Sequence, residues 1–145
     1  EVAALKGQGD SLLEVLHAFF DTPLFEEVSN LFQGENRILH YLYQEKRNDV
    51  TPSELSEQLH VTRARVTAAV KELLKKGYVC SIRPSNDRRR VYLSLTPCGK
   101  GYILSRIQSV QSCIETLQKG LGETDMTEIV RLMVRAFRIF ETATV

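Results

Sequence analysis

The sequence predicts a mainly α fold of the α+β class: a winged helix-turn-helix with a two-stranded wing, flanked by N- and C-terminal helices. Three observations predict it. Thr51–Lys76 holds two short helices, each opened by a threonine cap, with only His60-Val61 between them. Two short strand patterns then bracket the turn sequence Pro84-Ser85-Asn86-Asp87. That turn runs directly into Arg88-Arg89-Arg90, a basic tip. The order helix, tight turn, helix, hairpin is the winged form of the motif.

The elements follow from local chemistry. Leu12, Leu13, Val15, Leu16, Phe19 and Phe20 recur at helical spacing, which predicts an amphipathic helix over Ser11–Phe20. Thr22-Pro23 is a cap followed by a helix-starting proline, for a second helix reaching Phe32. Gly34 marks a joint, and Ile38, Leu39 and Leu42 give the next helix its apolar side before Asn48-Asp49 breaks it. Thr51, Pro52 and Glu54 fill the N-cap, first and third positions of a capping box, with Leu55 and Leu59 behind. Thr62 caps the following helix to about Lys76. Val66, Ala69, Val70, Leu73 and Leu74 form its inward stripe, and Gly77 closes it.

Val79–Arg83 and Arg90–Leu95 read as strands, with Val91, Leu93 and Leu95 alternating against Tyr92 and Ser94. Thr96-Pro97 opens a long helix to about Lys119, with Ile103, Leu104, Ile107, Val110, Ile114 and Leu117 on one side. Gly120 and Gly122 close it. Thr124 caps a last helix with Ile129, Val130, Leu132, Met133, Phe137 and Phe140. The terminal helices are apolar over more than one stripe, more than a small winged unit can cover. A homodimer with intertwined terminal helices is therefore expected. The organisation is 1–33 and 97–145 as dimerisation helices around a winged helix-turn-helix at 34–96.

Size and composition narrow the function classes. The 145 residues make about one domain with a sizeable core, and 43% hydrophobic with 26% charged residues is ordinary for a globular protein. No apolar run approaches the roughly 20 residues that span a bilayer, so no membrane partner is expected. No charged segment leads into an apolar signal core, which argues against secretion. The chain begins at Glu1 without a methionine, as a trimmed or partial chain would. Cys80, Cys98 and Cys113 are odd in number and show neither disulfide nor metal-finger spacing, which fits a reducing cytoplasm. No cofactor or metal is expected.

The net charge of +1 is unevenly spread. His60–Arg90 holds nine Lys/Arg against Glu72 and Asp87, a local balance of +7, and the rest of the chain balances at −6. That asymmetry points to a polyanion, here double-stranded DNA. A recognition helix must be apolar behind and small and polar in front. Arg63, Ala64, Thr67, Ala68 and Lys71 lie opposite the Val66/Val70/Leu73 stripe. Arg63 and Arg65 suit either guanine O6/N7 or phosphate. Thr62 and Thr67 suit phosphate oxygens or a thymine methyl, and Lys71 the backbone. Thr51 and Ser53, at a helix N-terminus, suit phosphate. At the wing, Asp87 would repel phosphate unless it holds an arginine in place, and an Asp87–Arg89 pair is assigned that role. Arg88 and Arg90 are left for backbone contacts or packing. The competing classes are a winged-helix module that binds protein and a thiol enzyme using Cys98. The basic tip argues against the first. No nearby His or acid in sequence supports the second.

On these residues the chain resembles the multiple-antibiotic-resistance regulator (MarR) family of bacterial transcription factors. The resemblance is carried by Arg37-Ile38-Leu39, by Thr51-Pro52-Ser53-Glu54-Leu55, and by Val66-Thr67 through Gly77-Tyr78-Val79. It continues with Asn86-Asp87-Arg88-Arg89 and ends in Leu93–Gly99. It covers about residues 33 to 101. It implies a homodimer on pseudo-palindromic operators, more often a repressor than an activator, released by a small ligand, metal or oxidant. It also implies that Arg89 enters the minor groove. Peroxide-sensing members carry a reactive cysteine in the first helix, and this chain has none there. Zinc-sensing members use histidine in the long helix, and Pro97–Lys119 has none. His17, His40 and His60 stand apart in sequence. The remaining expectations are an aromatic or amphipathic effector near His17, Phe20 and Tyr41, and a redox role for Cys98, in the first turn after the Thr96 cap.

Overall fold

A computed structural model describes residues 10–143. In chain order the elements are α1 (Asp10–Phe20), α2 (Pro23–Phe32), α3 (Gly34–Glu45), α4 (Pro52–Gln58), α5 (Arg63–Lys75), β1 (Val79–Ile82), β2 (Tyr92–Leu95) and α6 (Pro97–Ala143). The chain divides into two compact units, residues 1–110 and 111–145.

In the first unit, the starts of α2, α4, α5 and α6 are each made by a threonine cap. The hydroxyl oxygens of Thr22, Thr51 and Thr62 accept from the backbone N–H groups of Phe25, Glu54 and Arg65. Thr96 accepts from Gly99 N–H and donates to Gly77 C=O at 2.6 Å, joining the end of α5 to the start of α6. The end of α5 is a Schellman motif: Gly77 at φ 71, with Gly77 N–H on Leu74 C=O and Tyr78 N–H on Leu73 C=O. The end of α4 repeats this geometry with His60 at φ 51 where a glycine would be easier. Ser56 steadies that turn by donating to Val61 C=O at 2.7 Å.

The core gathers Leu39 and Leu42 of α3, Leu55 of α4, Val66, Val70 and Leu73 of α5, Val79 and Leu93 of the hairpin, and Ile103 of α6. Leu74, expected on the inward stripe of α5, is 40% exposed. It lies one residue, about 100° around the helix, beyond Leu73 and so passes the edge of the buried face. β1 and β2 pair antiparallel, Val79 with Leu95 through Ile82 with Tyr92. Both are shorter at the tip than expected. Alternation along β2 is imperfect, since both Leu93 and Ser94 are buried, and Ser94 Oγ lies 3.1 Å from Cys80 Sγ. A bridge outside the hairpin joins Val50 to Leu93, whose N–H donates to Val50 C=O at 2.8 Å. At Gly99 of α6 there is no room for a side chain: a Cβ there would sit 1.9 Å from Tyr78 O. Tyr78 and Tyr102 stack beside this approach at 4.6 Å.

The second unit is helical. Gly122 is non-helical at φ 81, ψ 171, a break inside α6, whereas Gly120 continues the helix. The expected interruption therefore falls on one glycine of the two. Val130, Leu132, Met133, Val134, Phe137, Ile139 and Phe140 are all exposed. No helix of the described residues is long and apolar enough to cross a membrane.

Candidate nucleic-acid interface

α5 buries Val66, Val70 and Leu73, and this fixes which side chains face out. Thr62, Arg63, Ala64, Arg65, Thr67, Ala68 and Lys71 are exposed. Thr67 Oγ1 donates to Arg63 C=O at 2.9 Å, so its hydroxyl proton is engaged and its methyl and lone pairs face outward. Among the described residues Arg63, Arg65 and Lys71 make no ion pair. The basic residues nearer the end of α5 are engaged: Lys75 with Glu72, and Lys76 with Glu35 at the first turn of α3. The cationic front is therefore the N-terminal half of α5.

The wing tip is a turn in which Asp87 N–H donates to Pro84 C=O and Arg90 N–H to Asp87 C=O. The Asp87 carboxylate accepts from the Arg89 backbone N–H at 3.0 Å and pairs with Arg90 Nε at 3.4 Å. The expected Asp87–Arg89 side-chain pair thus differs from the observed one. The local bond to the Arg89 amide turns the carboxylate along the chain, where the guanidinium three residues on is in reach. Tyr92 first, and Asp87 after it, raises the pKa of Arg90. Arg88 and Arg89 are exposed, and among the described residues their guanidinium groups make no ion pair.

At the start of α4, Ser53 is exposed and Thr51 half-buried. Only half of the capping box forms. Glu54 N–H reaches Thr51 Oγ1 at 3.2 Å, but the Glu54 carboxylate turns to Tyr41 Oη at 2.9 Å and to the Arg47 guanidinium. Sequence reasoning missed Arg47. The charged run Glu45-Lys46-Arg47-Asn48-Asp49 just before the cap was the available signal.

Phe20 packs edge-on against Phe25 at 4.4 Å and lines an open depression with Thr22, Glu26 and Ser29. Tyr41 is committed to Glu54, and burial first, then Glu54, raises its pKa. His17 is exposed in the last turn of α1. Cys98 is exposed in the first turn of α6, and Cys113 is half-buried.

A helix with an uncompensated cationic front and a hairpin with a cationic tip, in one lobe, define a winged helix-turn-helix protein with a cationic surface. Residues 35–90 match the MarR family. The chain is 24% identical over 103 residues to the HTH-type transcriptional repressor YetL of Bacillus subtilis, covering 71% of this chain and 62% of YetL. It is 28% identical over 104 residues to the transcriptional repressor MprA of Escherichia coli K12, covering 69% of this chain and 59% of MprA. The match spans about three fifths of the length of each of these two relatives. A crystal structure of Streptococcus pneumoniae FabT in complex with DNA superposes with a TM-score of 0.71 at 26% identity, covering 94% of this chain and 99% of that one. The family match lies in the lobe that holds α3, α4, α5 and the wing tip. YetL and MprA are named as repressors of transcription, not as enzymes.

Proposed function

We propose that the protein is a MarR-type transcriptional regulator, a repressor that binds a pseudo-palindromic DNA operator as a homodimer in the bacterial cytoplasm. One observation carries this reading: the unpaired cations of α5 and those of the wing tip belong to one compact lobe, and both are exposed. The DNA complex of FabT supports it. In this reading the front of α5 enters the major groove. Arg63 and Arg65 meet guanine edges or phosphates, Thr62 and Thr67 meet phosphate or a thymine methyl, and Lys71 meets the backbone. Thr51 and Ser53 hold phosphate at the start of α4. Arg89 enters the minor groove, where negative potential is concentrated, and Arg88 and Arg90 flank it.

Dimer formation rests on exposed apolar surface. Leu12, Leu13, Leu16, Phe19 and Phe20 of α1 are exposed, as are the apolar residues of the second unit, and exposed apolar surface on this scale marks an association face. Release by a small ligand fits an aromatic or amphipathic effector near α1, whose Phe20 and neighbouring Phe25 offer an aromatic wall. The exposed thiol of Cys98 supports an oxidant as the alternative signal.

Selection from a random duplex pool at physiological salt tests the reading. A two-fold palindrome with half-sites about one helical turn apart is expected. Recovery of no preferred sequence, together with capture of a protein partner by the same lobe, would replace it with the protein-interaction reading.

A further inference from the structure

The segment between α3 and α4 is built around one guanidinium. Lys46 ends α3 at φ 55, and this left-handed residue reverses the chain. The turn brings Arg47 against three carboxylates. Its Nε lies 3.2 Å from Glu45, its Nη1 lies 2.8 Å from Asp49, and its Nη2 meets Glu54. Glu54 also accepts from Tyr41 of α3 at 2.9 Å. Each nitrogen of the fork thus meets a different carboxylate, one at the end of α3, one in the connecting segment and one in the first turn of α4. The next residues tie the same segment to the wing, because Val50 C=O accepts from Leu93 N–H of β2. Val50 and Leu93 are fully buried, so this bridge is a packed junction.

Arg47 differs from the other cations of the lobe. Arg63, Arg65, Arg88 and Arg89 have no acidic partner among the described residues, whereas Arg47 is paired with three. The hydrogen bonds to Asp49 and then Glu45 raise its pKa far above the ordinary arginine value. Three of its five N–H donors are engaged, and the three carboxylates around it disfavour a phosphate at the same place. Two of its anchors, Asp49 and Glu54, flank the Val50–Ser53 stretch, in which Val50 holds the wing and Thr51 and Ser53 start α4.

We propose that Arg47 is a positioning residue for DNA binding, a fork that clamps α3 to α4 and sets the start of α4 and the base of the wing in register. The inference rests on the DNA-binding reading above. It assigns Glu54 a role beyond helix capping. A lysine cannot replace the fork, since a single ammonium cannot meet three carboxylates along fixed directions.

The test uses the full-length protein and the duplex recovered by selection. Arg47→Ala, Arg47→Lys, Glu54→Gln and the Arg47→Ala/Glu54→Gln double variant are compared by fluorescence anisotropy across a salt series. Hydrogen exchange is followed at the Leu93 and Leu55 amides. Arg47→Ala is expected to weaken binding on the order of tenfold while leaving the slope of log affinity against log salt unchanged, because no phosphate contact is lost. Arg47→Lys is expected to fail to restore affinity. The double variant should be no weaker than Arg47→Ala alone. The Leu93 and Leu55 amides should exchange faster, with amides of α6 unchanged. A slope smaller by about one would mean that Arg47 itself touches phosphate, and would overturn the assignment. So would wild-type affinity in Arg47→Ala, or full rescue by lysine. If the wild-type protein shows no duplex preference at all, the DNA-binding reading fails first. A selective loss in Arg47→Ala beside an intact wild type separates the two.

Discussion

Residues 34–96 and 111–143 are both rich in apolar side chains, yet they use them in opposite ways. The first region folds its apolar residues inward: Leu39, Leu55, Leu73 and Leu93 are completely buried. Its exposed surface carries unpaired arginines. The second region leaves Val130, Met133, Val134, Phe137 and Ile139 in solvent, and one of its four cations, Arg131, is held by Glu128 at 2.6 Å. Aliphatic and aromatic content alone therefore says little about what a helix does. The first region buries its apolar side chains and displays charge. The other displays apolar surface, as an association element does.

Substitutions can break this contrast. The largest effect is expected from Leu73→Ala, which opens a cavity in the first region and should cost about 2–5 kcal/mol in thermal or denaturant unfolding. Gly99→Ala should cost about 1–3 kcal/mol, or more, because its new methyl meets Tyr78 O and forces α6 away from the hairpin. Phe137→Ser, by contrast, should leave the unfolding of the first region unchanged. It should weaken self-association on the order of tenfold, about 1.4 kcal/mol, in sedimentation equilibrium. Equal loss of stability in Phe137→Ser and Leu73→Ala would erase the distinction between the regions. Thr96→Val removes the bonds to Gly77 C=O and Gly99 N–H and should cost about 0.5–2 kcal/mol.

The smallest effect concerns pH. Burial lowers the pKa of His40 from 6.5, and the ring packs on Phe32 at 5.2 Å. The folded state thus favours neutral imidazole. Its stabilisation is complete above pH 6.5 and is lost as pH falls below that value through the lowered folded-state pKa. His40→Gln should flatten the stability profile between about pH 7 and 5.

Legibility in the sequence followed the range of the interaction. Thr22, Thr51, Thr62 and Thr96 announced their helices because a cap acts within three residues, and all four caps form. Gly77 was readable for the same reason. The turn at His60 was placed by spacing alone, since its left-handed residue is not a glycine. The wing's charge was legible but its pairing was not: whether Asp87 meets Arg89 or Arg90 depends on which way one carboxylate rotates after binding a backbone amide. Arg47 was the largest omission. Its partners span nine residues, Glu45 to Glu54, and converge only because Lys46 reverses the chain. Tyr41, expected near an effector with His17 and Phe20, is hydrogen-bonded to Glu54 of α4, a partner 13 residues on that spacing does not announce.

The most direct test of the central claim, that α5 and the wing form one DNA-reading surface, is a salt titration of duplex affinity from 50 to 200 mM with wild type, Arg63→Ala and Arg89→Ala. The expected result is a steep wild-type slope, strong weakening in Arg89→Ala, and a slope smaller by about one for each arginine that meets phosphate. For Arg63, a loss of about 1–3 kcal/mol confined to one base position would instead mark a base contact. A shallow wild-type slope, or variants that titrate as wild type does, would contradict it.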